Sequence, residues 1–135
     1  MIKEMIAPAR RQTKQRQIIL DYLRSVCCHP TAEIIYKNVR KRLSSISLAT
    51  VYRNLNLLVK EGEVLEIVDR DGQRHFDGDN QDHLHYLCEK CGAIFDSFQR
   101  TIFNKSLIKT IGTIRKINCL IIGDCLACQK KYGKR

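Results

Sequence analysis

No apolar run in this chain approaches the ~20 residues that a membrane-spanning helix needs. The first fifteen residues, MIKEMIAPARRQTKQ, lack the apolar core of a secretory signal. Beyond two CxxC pairs there is no internal repeat, and there is no low-complexity tract. Acidic residues are scarce in the first sixty positions, three against twelve lysines and arginines. These absences exclude a membrane-spanning helix and a repeat architecture. They make the cytoplasm the expected compartment, with no membrane partner.

What is present is just as selective. The 135 residues carry seven cysteines and a formal net charge of +10. Disulfides are rare in a reducing compartment, so metal binding is the favoured use of the thiols. The charge is uneven. Residues 61–80 hold seven acids and two basic residues, and residues 81–135 hold four acids and ten basic residues. A basic N-terminal half suits a polyanion partner, most often nucleic acid. The length allows one domain or two small ones.

Taken in order, the chain first predicts a helix from Thr13 to Val26. Thr13 caps it, and Ile18, Ile19, Tyr22, Leu23 and Val26 form its apolar stripe. Cys27-Cys28-His29-Pro30 breaks it. A second helix starts near Thr31, with Ala32, Ile35, Val39 and Leu43 at helical spacing. Ser47 caps a third, which Gly62 stops. Its buried face is Leu48, Val51, Leu55, Leu58 and Val59. Its outer face carries Thr50, Arg53, Asn54 and Lys60. Two helices joined by a short turn, the second presenting polar side chains near its start, form a helix-turn-helix. Ser47, Ala49, Thr50, Tyr52, Arg53 and Asn54 are the candidate contacts to bases and phosphates. Val64–Val68, the turn Asp69-Arg70-Asp71-Gly72 and Gln73–Phe76 then read as a β-hairpin, which makes the domain winged.

The expected organisation is a DNA-binding domain over 1–78, a hinge over 79–82, and a second domain over 83–135. In the second domain a helix is expected from Gln99 to Ile111 and a strand from Arg115 to Ile122, followed by a basic tail. About fifty residues are few for an independent core, so a structural metal and a dimer partner would both help. The fold class is α+β: a winged helix-turn-helix domain plus a small α/β dimerisation domain.

Cys88-x2-Cys91 and Cys125-x2-Cys128 are the strongest signal. Four thiolates suit tetrahedral zinc, and the second pair ties the C-terminal segment to the first. Redox dithiols are the alternative, but two separate pairs favour four-coordinate metal. Cys27, Cys28 and Cys119 have no paired spacing and read as core or half-buried thiols. The stretch DHLHYLCEKCGAIFD, Asp82 to Asp96, reads as a hairpin with the Cys88–Cys91 knuckle at its tip. With the centre between Glu89 and Lys90, His83 lies opposite Asp96, and His85 shares its face. These three are an N/O donor set suited to Fe²⁺, Mn²⁺ or Zn²⁺. A hairpin whose polar residues merely face water is the other reading.

His29-Pro-Thr-Ala-Glu-Ile-Ile-Tyr36, Ser47-Leu-Ala-Thr-Val-Tyr-Arg-Asn-Leu55, Arg74-His-Phe-Asp77 and the DHLHYLCEKCG block together resemble the Fur family of metal-dependent repressors. Thr13-x-Gln15-Arg16 is similar to that family's first-helix signature, and it adds Arg16 to the candidate DNA contacts. Within the family the chain is most similar to the peroxide-responsive, PerR-like branch. Relatives that answer mainly to iron tend to carry Glu where this chain has Asp96. The resemblance implies a regulatory Fe²⁺ or Mn²⁺ held by His29, Asp77, His83, His85 and Asp96, beside structural Zn²⁺. It also implies a homodimer on a palindromic, AT-rich operator, and peroxide sensing by iron-catalysed oxidation of His29 or His83. His75 is extra to the five and is expected at the surface or in support of a ligand.

Two features depart from the family pattern. The segment from Asp96 to Cys125 is short with a basic helix, and no histidine follows His85 to build an additional His-rich site. The nearest rival is an iron- or manganese-uptake regulator. An enzyme is disfavoured, because five protein ligands leave little room for substrate and no nucleophile–base pair is evident. A third reading is a metal-independent adaptor that uses zinc only to fold.

Overall fold

The computed structural model describes residues 13–26, 28–81, 83–97, 110–113 and 119–133. The N-terminal arm, Cys27, Asp82 and nearly all of the helix expected at Gln99–Ile111 lie outside the described residues.

Three helices open the fold: α1 (Lys14–Ser25), α2 (Ala32–Val39) and α3 (Leu48–Lys60). Each starts where a hydroxyl can satisfy a free N–H. Thr13 accepts from Arg16 N–H at 3.2 Å, Thr31 from Ile34 N–H at 3.4 Å and Ser47 from Thr50 N–H at 3.1 Å. Strands β1 (Leu65–Val68) and β2 (Arg74–Asp77) pair antiparallel as the wing, with Val68 opposite Arg74.

One apolar core unites these elements. Its members run from Ile18 to Phe76 and include Ile19, Leu23, Ile35, Leu55 and Leu58. Phe76 is fully buried and joins the wing to the helices. Phe76→Ala is therefore expected to cost about 3–5 kcal/mol of stability, read as a lowered urea midpoint.

The second half is a three-stranded sheet in the order β4-β3-β5, formed by β3 (Leu84–Cys88), β4 (Ile94–Ser97) and β5 (Leu120–Gly123). β3 pairs antiparallel with β4 and parallel with β5. The strand expected at Arg115–Ile122 is seen from Leu120; residues 114–118 lie outside the described set. After Gly123-Asp124 the sequence predicts the Cys125–Cys128 pair and then a basic tail. Residues of both form a helix, α4 (Leu126–Tyr132), led by Cys125.

The hairpin register differs from the expected one. Asp96 pairs with His85, and Ser97 pairs with Leu84. The turn closes at Cys88 N–H to Ala93 carbonyl, 2.9 Å, with Gly92 left-handed at φ 73°. That glycine lets four residues, Glu89 to Gly92, form the knuckle, so its centre moves on by one position. On the facing strand this is a slip of two residues. A slip of two preserves the face, so His83, His85 and Asp96 still point to the same side.

The polar segment expected as a hinge is well anchored. Asn80 donates to the Gly62 carbonyl at 3.1 Å, and Asp77 and Asp79 cap the N–H groups of Asp79 and Gln81. A Cβ on Gly78 would stand 2.7 Å from the Leu23 carbonyl carbon, so only glycine lets the exit of β2 pass α1.

Candidate metal centres and nucleic-acid face

The first cluster is built on β2, β3, β4 and the α1–α2 connection. Asp77 ends β2, and its Oδ1 accepts from Asp79 N–H at 2.9 Å. Its Oδ2 lies 2.9 Å from His83 Nε2, 3.0 Å from His85 Nε2 and 3.4 Å from His29 Nε2. Asp96 Oδ1, on β4, lies 2.7 Å from His29 Nε2 and 3.3 Å from both His83 and His85. The Nε2 atoms of His83 and His85 are 3.0 Å apart. All five residues singled out in the sequence therefore converge. The side chains of His29, His83 and His85 are almost entirely buried.

His83 Nδ1 donates to the Gln81 carbonyl at 2.6 Å, which leaves its Nε2 lone pair aimed at the cluster. Burial would lower the pKa of His29. Hydrogen bonds with Asp77 and Asp96 outweigh it and hold the pKa above its ordinary value. Burial likewise opposes the Asp77 carboxylate, but contacts with His29 and His85 drive its pKa far below the usual range. So the carboxylate is ionised and three imidazoles crowd it. Neighbouring ligands of an octahedral ion with bonds of about 2.1 Å stand about 3 Å apart. The observed separations fit one small divalent ion, and the nitrogen–oxygen donors fit Fe²⁺ or Mn²⁺. Asp77 and Asp96 also border a solvent-open cavity of about 700 Å³ shared with Arg24, Cys28 and Asn80, which gives small solutes access to the carboxylate edge.

The second cluster is Cys88, Cys91, Cys125 and Cys128, whose sulfurs lie within 4.8 Å of one another. Cys91 Sγ is 3.9 Å from Cys125 Sγ, and Cys125 N–H donates to Cys88 Sγ at 3.3 Å. Tetrahedral zinc with bonds of about 2.3 Å sets its sulfurs about 3.8 Å apart, so the fit is good. That backbone donor from Cys125, with others from the knuckle, lowers the Cys88 thiol to about 6. Burial and the neighbouring thiols raise Cys128 to about 12. One sulfur in the group is thus ready to ionise, and a cation is needed to draw the last proton off. The helix α4, unforeseen in the sequence, places Cys128 one turn beyond Cys125. The run Leu-Ala-Cys-Gln-Lys-Lys, mostly good helix formers, was the available signal.

The candidate DNA contacts divide. Ser47, which caps α3, and Ala49 and Arg53 on it are exposed, and Thr50 and Tyr52 are half-buried. The Tyr52 hydroxyl donates to Glu33 at 2.6 Å, which ties α3 to the start of α2. Two expectations are corrected. Asn54 is buried, because it borders the stripe of Val51, Leu55 and Leu58, and its amide is satisfied by the Thr50 carbonyl at 2.8 Å. Arg16 is also buried, ion-paired with Glu61 at the end of α3, so it braces two helices and does not present its charge outward. Sequence reasoning missed Asn56, exposed on α3, whose side chain accepts from Arg74 of the wing at 2.8 Å. Among the unpaired thiols, Cys119 is half-buried as expected. Cys28 is exposed, because it sits in the irregular link before His29.

No described helix is long and apolar enough to cross a membrane. Residues 9–115 match the model of the ferric uptake regulator family. The chain is similar to the peroxide-responsive repressor PerR of Staphylococcus aureus strain USA300, 37% identical over 138 residues, with 96% of this chain and 93% of that protein covered. It is also similar to the peroxide operon regulator of Bacillus subtilis strain 168, 36% identical over 124 residues, with 90% and 86% covered. Among solved structures, the Campylobacter jejuni peroxide stress regulator matches with a TM-score of 0.74 and 34% identity, covering 84% of this chain and 88% of that one.

Proposed function

This chain belongs to the ferric uptake regulator family, and from that premise we propose that it is a metal-dependent DNA-binding repressor of the peroxide-responsive type. It acts as a homodimer on a palindromic, AT-rich operator, and it is a regulator, not an enzyme. Cys88, Cys91, Cys125 and Cys128 hold structural zinc. His29, Asp77, His83, His85 and Asp96 hold the regulatory Fe²⁺ or Mn²⁺.

The observation that carries this reading is the meeting of residues from both sides of the 79–82 segment. His29 comes from the link between α1 and α2, and Asp77 ends the wing. His83, His85 and Asp96 belong to the zinc-bearing sheet. Contacts of 2.7–3.0 Å join the two sets. Five ligands held together lock the winged domain against the sheet. In a dimer that orientation sets the spacing of the two α3 helices against two half-sites. Loading is then a population shift toward the DNA-competent arrangement.

Bound Fe²⁺ supplies peroxide-reducing chemistry beside the imidazoles, whereas Mn²⁺ supplies charge neutralisation alone. Oxidation of His29 or His83 takes one nitrogen ligand out of the set. His83 is held in the tautomer that presents Nε2 to the cluster, because its Nδ1 donates to the Gln81 carbonyl. Losing either ring leaves the carboxylates of Asp77 and Asp96 underpaired and releases the two halves.

Mild peroxide treatment of the iron-loaded protein is expected to add one oxygen to peptides carrying His29 or His83, read by mass spectrometry, with the manganese form unmodified. Oxidation confined to cysteines would replace this reading with a thiol sensor. If metal dependence of operator binding persists but peroxide leaves the iron form unchanged, the protein is a metal-level regulator instead.

A further inference from the structure

His75 stands outside the five-residue cluster, yet its ring bridges that cluster to the wing. Nδ1 lies 2.9 Å from the His29 backbone carbonyl, and Nε2 lies 2.9 Å from Asp69 Oδ2. Both ring nitrogens are thus matched to oxygen acceptors, and the ring is mostly buried. The other oxygen of Asp69 accepts from the N–H groups of Asp71 and Gln73, both at 2.9 Å. One carboxylate therefore shapes the whole turn between β1 and β2. The next residue along, Phe76, donates its N–H to the Pro30 carbonyl at 3.0 Å.

These bonds form an unbroken sequence. The His29 ring meets Asp96 and Asp77, the His29 carbonyl meets His75, His75 meets Asp69, and Asp69 holds the tip of the wing. His29 lies between two helices, in an irregular link outside any strand or helix. The His75 and Phe76 bonds are what attach that link to β2. A bond at 2.9 Å is lost once its partners part by about 0.7 Å. A small shift of His29 thus breaks one end of the bridge, and the wing tip loses its brace.

We propose that His75 is a positioning residue that couples occupancy of the His29–Asp96 cluster to the conformation of the wing turn Asp69–Gln73, and thereby to DNA contact. This rests on the metal-gated repressor reading for its effect on DNA, although the coupling to the wing turn can be measured without DNA.

The test uses the full-length, zinc-replete dimer as wild type, His75→Phe and Asp69→Ala. Manganese binding, amide hydrogen exchange and operator affinity with and without manganese are measured for each. Matched thermal melts establish that the variants are folded; Asp69→Ala leaves the core untouched should His75→Phe fail to fold. In the wild type, manganese is expected to slow exchange in the peptide spanning residues 69–76 and in the β3 peptide 84–88. In both variants the β3 response is expected to persist while the wing response is lost. The manganese-induced gain in operator affinity is expected to fall by about fivefold or more, within the usual range of coupling between sites. Variants that keep a wild-type wing response and a wild-type gain would overturn the proposal and leave His75 as mere structural support. If wild-type operator affinity ignores manganese, the repressor reading fails, and the exchange response still decides the role of His75.

Discussion

Asp96→Ala is expected to abolish manganese-dependent operator binding while leaving the protein folded and zinc-loaded. Asp96 Oδ1 lies within 3.3 Å of all three imidazoles. Its carboxylate supplies one of the two negative charges that would balance a divalent ion. Altering residues that only support a ligand already costs 10–100-fold in metal affinity. Losing a charged ligand outright is expected to cost about 100-fold or more. An ion held well above its dissociation constant in the wild type then occupies a minor fraction of the variant. Asp96 is partly exposed on β4 and lies outside the main apolar core, so stability changes little. His83→Ala is expected to have the same effect from the position just before β3. Metal analysis with a mobility-shift assay reads both quantities. Two variants that still carry a second metal, and still bind operator only when loaded, would refute the five-ligand assignment.

Stripping zinc, or Cys88→Ser, is expected to do something different: unfold the sheet half and dissociate the dimer while the winged domain survives. The main apolar cluster lies entirely between Ile18 and Phe76. Among the described residues the sheet half buries Leu87, Cys88 and Cys128, with His83 and His85 as its buried polar groups. A core of that size does not hold a fold alone. Structural zinc contributes on the order of 10–16 kcal/mol to folding in small sites, far above the 0.5–3 kcal/mol of most point changes. A reduced circular-dichroism signal before heating, a single remaining transition from the winged domain, and a monomeric mass by light scattering are the expected outcome. One unchanged transition from a zinc-free dimer would show that the thiols are dispensable.

Several particulars separate what a reader of the sequence sees from what folding decides. Thr13, Thr31 and Ser47 each stand before an apolar periodic run, and each caps a helix as its side-chain chemistry dictates. The two CxxC pairs disclose a four-sulfur site because tetrahedral coordination needs only those donors at that spacing. Arg16 and Asn54 mislead because polarity suggests an outer face. Arg16 finds Glu61, forty-five positions away in sequence, and Asn54 finds a carbonyl one turn back. Glu61 balances the buried charge of Arg16, although its Nε keeps no hydrogen-bond partner among the described residues, and the carbonyl satisfies the Asn54 amide; neither pairing shows up in hydrophobic periodicity. The register of the β3–β4 hairpin turned on one left-handed glycine. The inward face of His83, His85 and Asp96 survived because two-residue periodicity tolerates an even slip.

The sequence by itself determined the local matters: where helices begin, which side chains are chemically able to bind metal, and how far apart the cysteines of each pair can reach. Those follow from short-range sterics and from donor chemistry. Only the tertiary structure decided that His29 and Asp77 stand within 3.4 Å of one another beside the zinc-bearing sheet, and that His75 bridges them to the wing. Such meetings depend on how whole elements pack. Packing is a sum over many distant contacts, which no single stretch of chain contains.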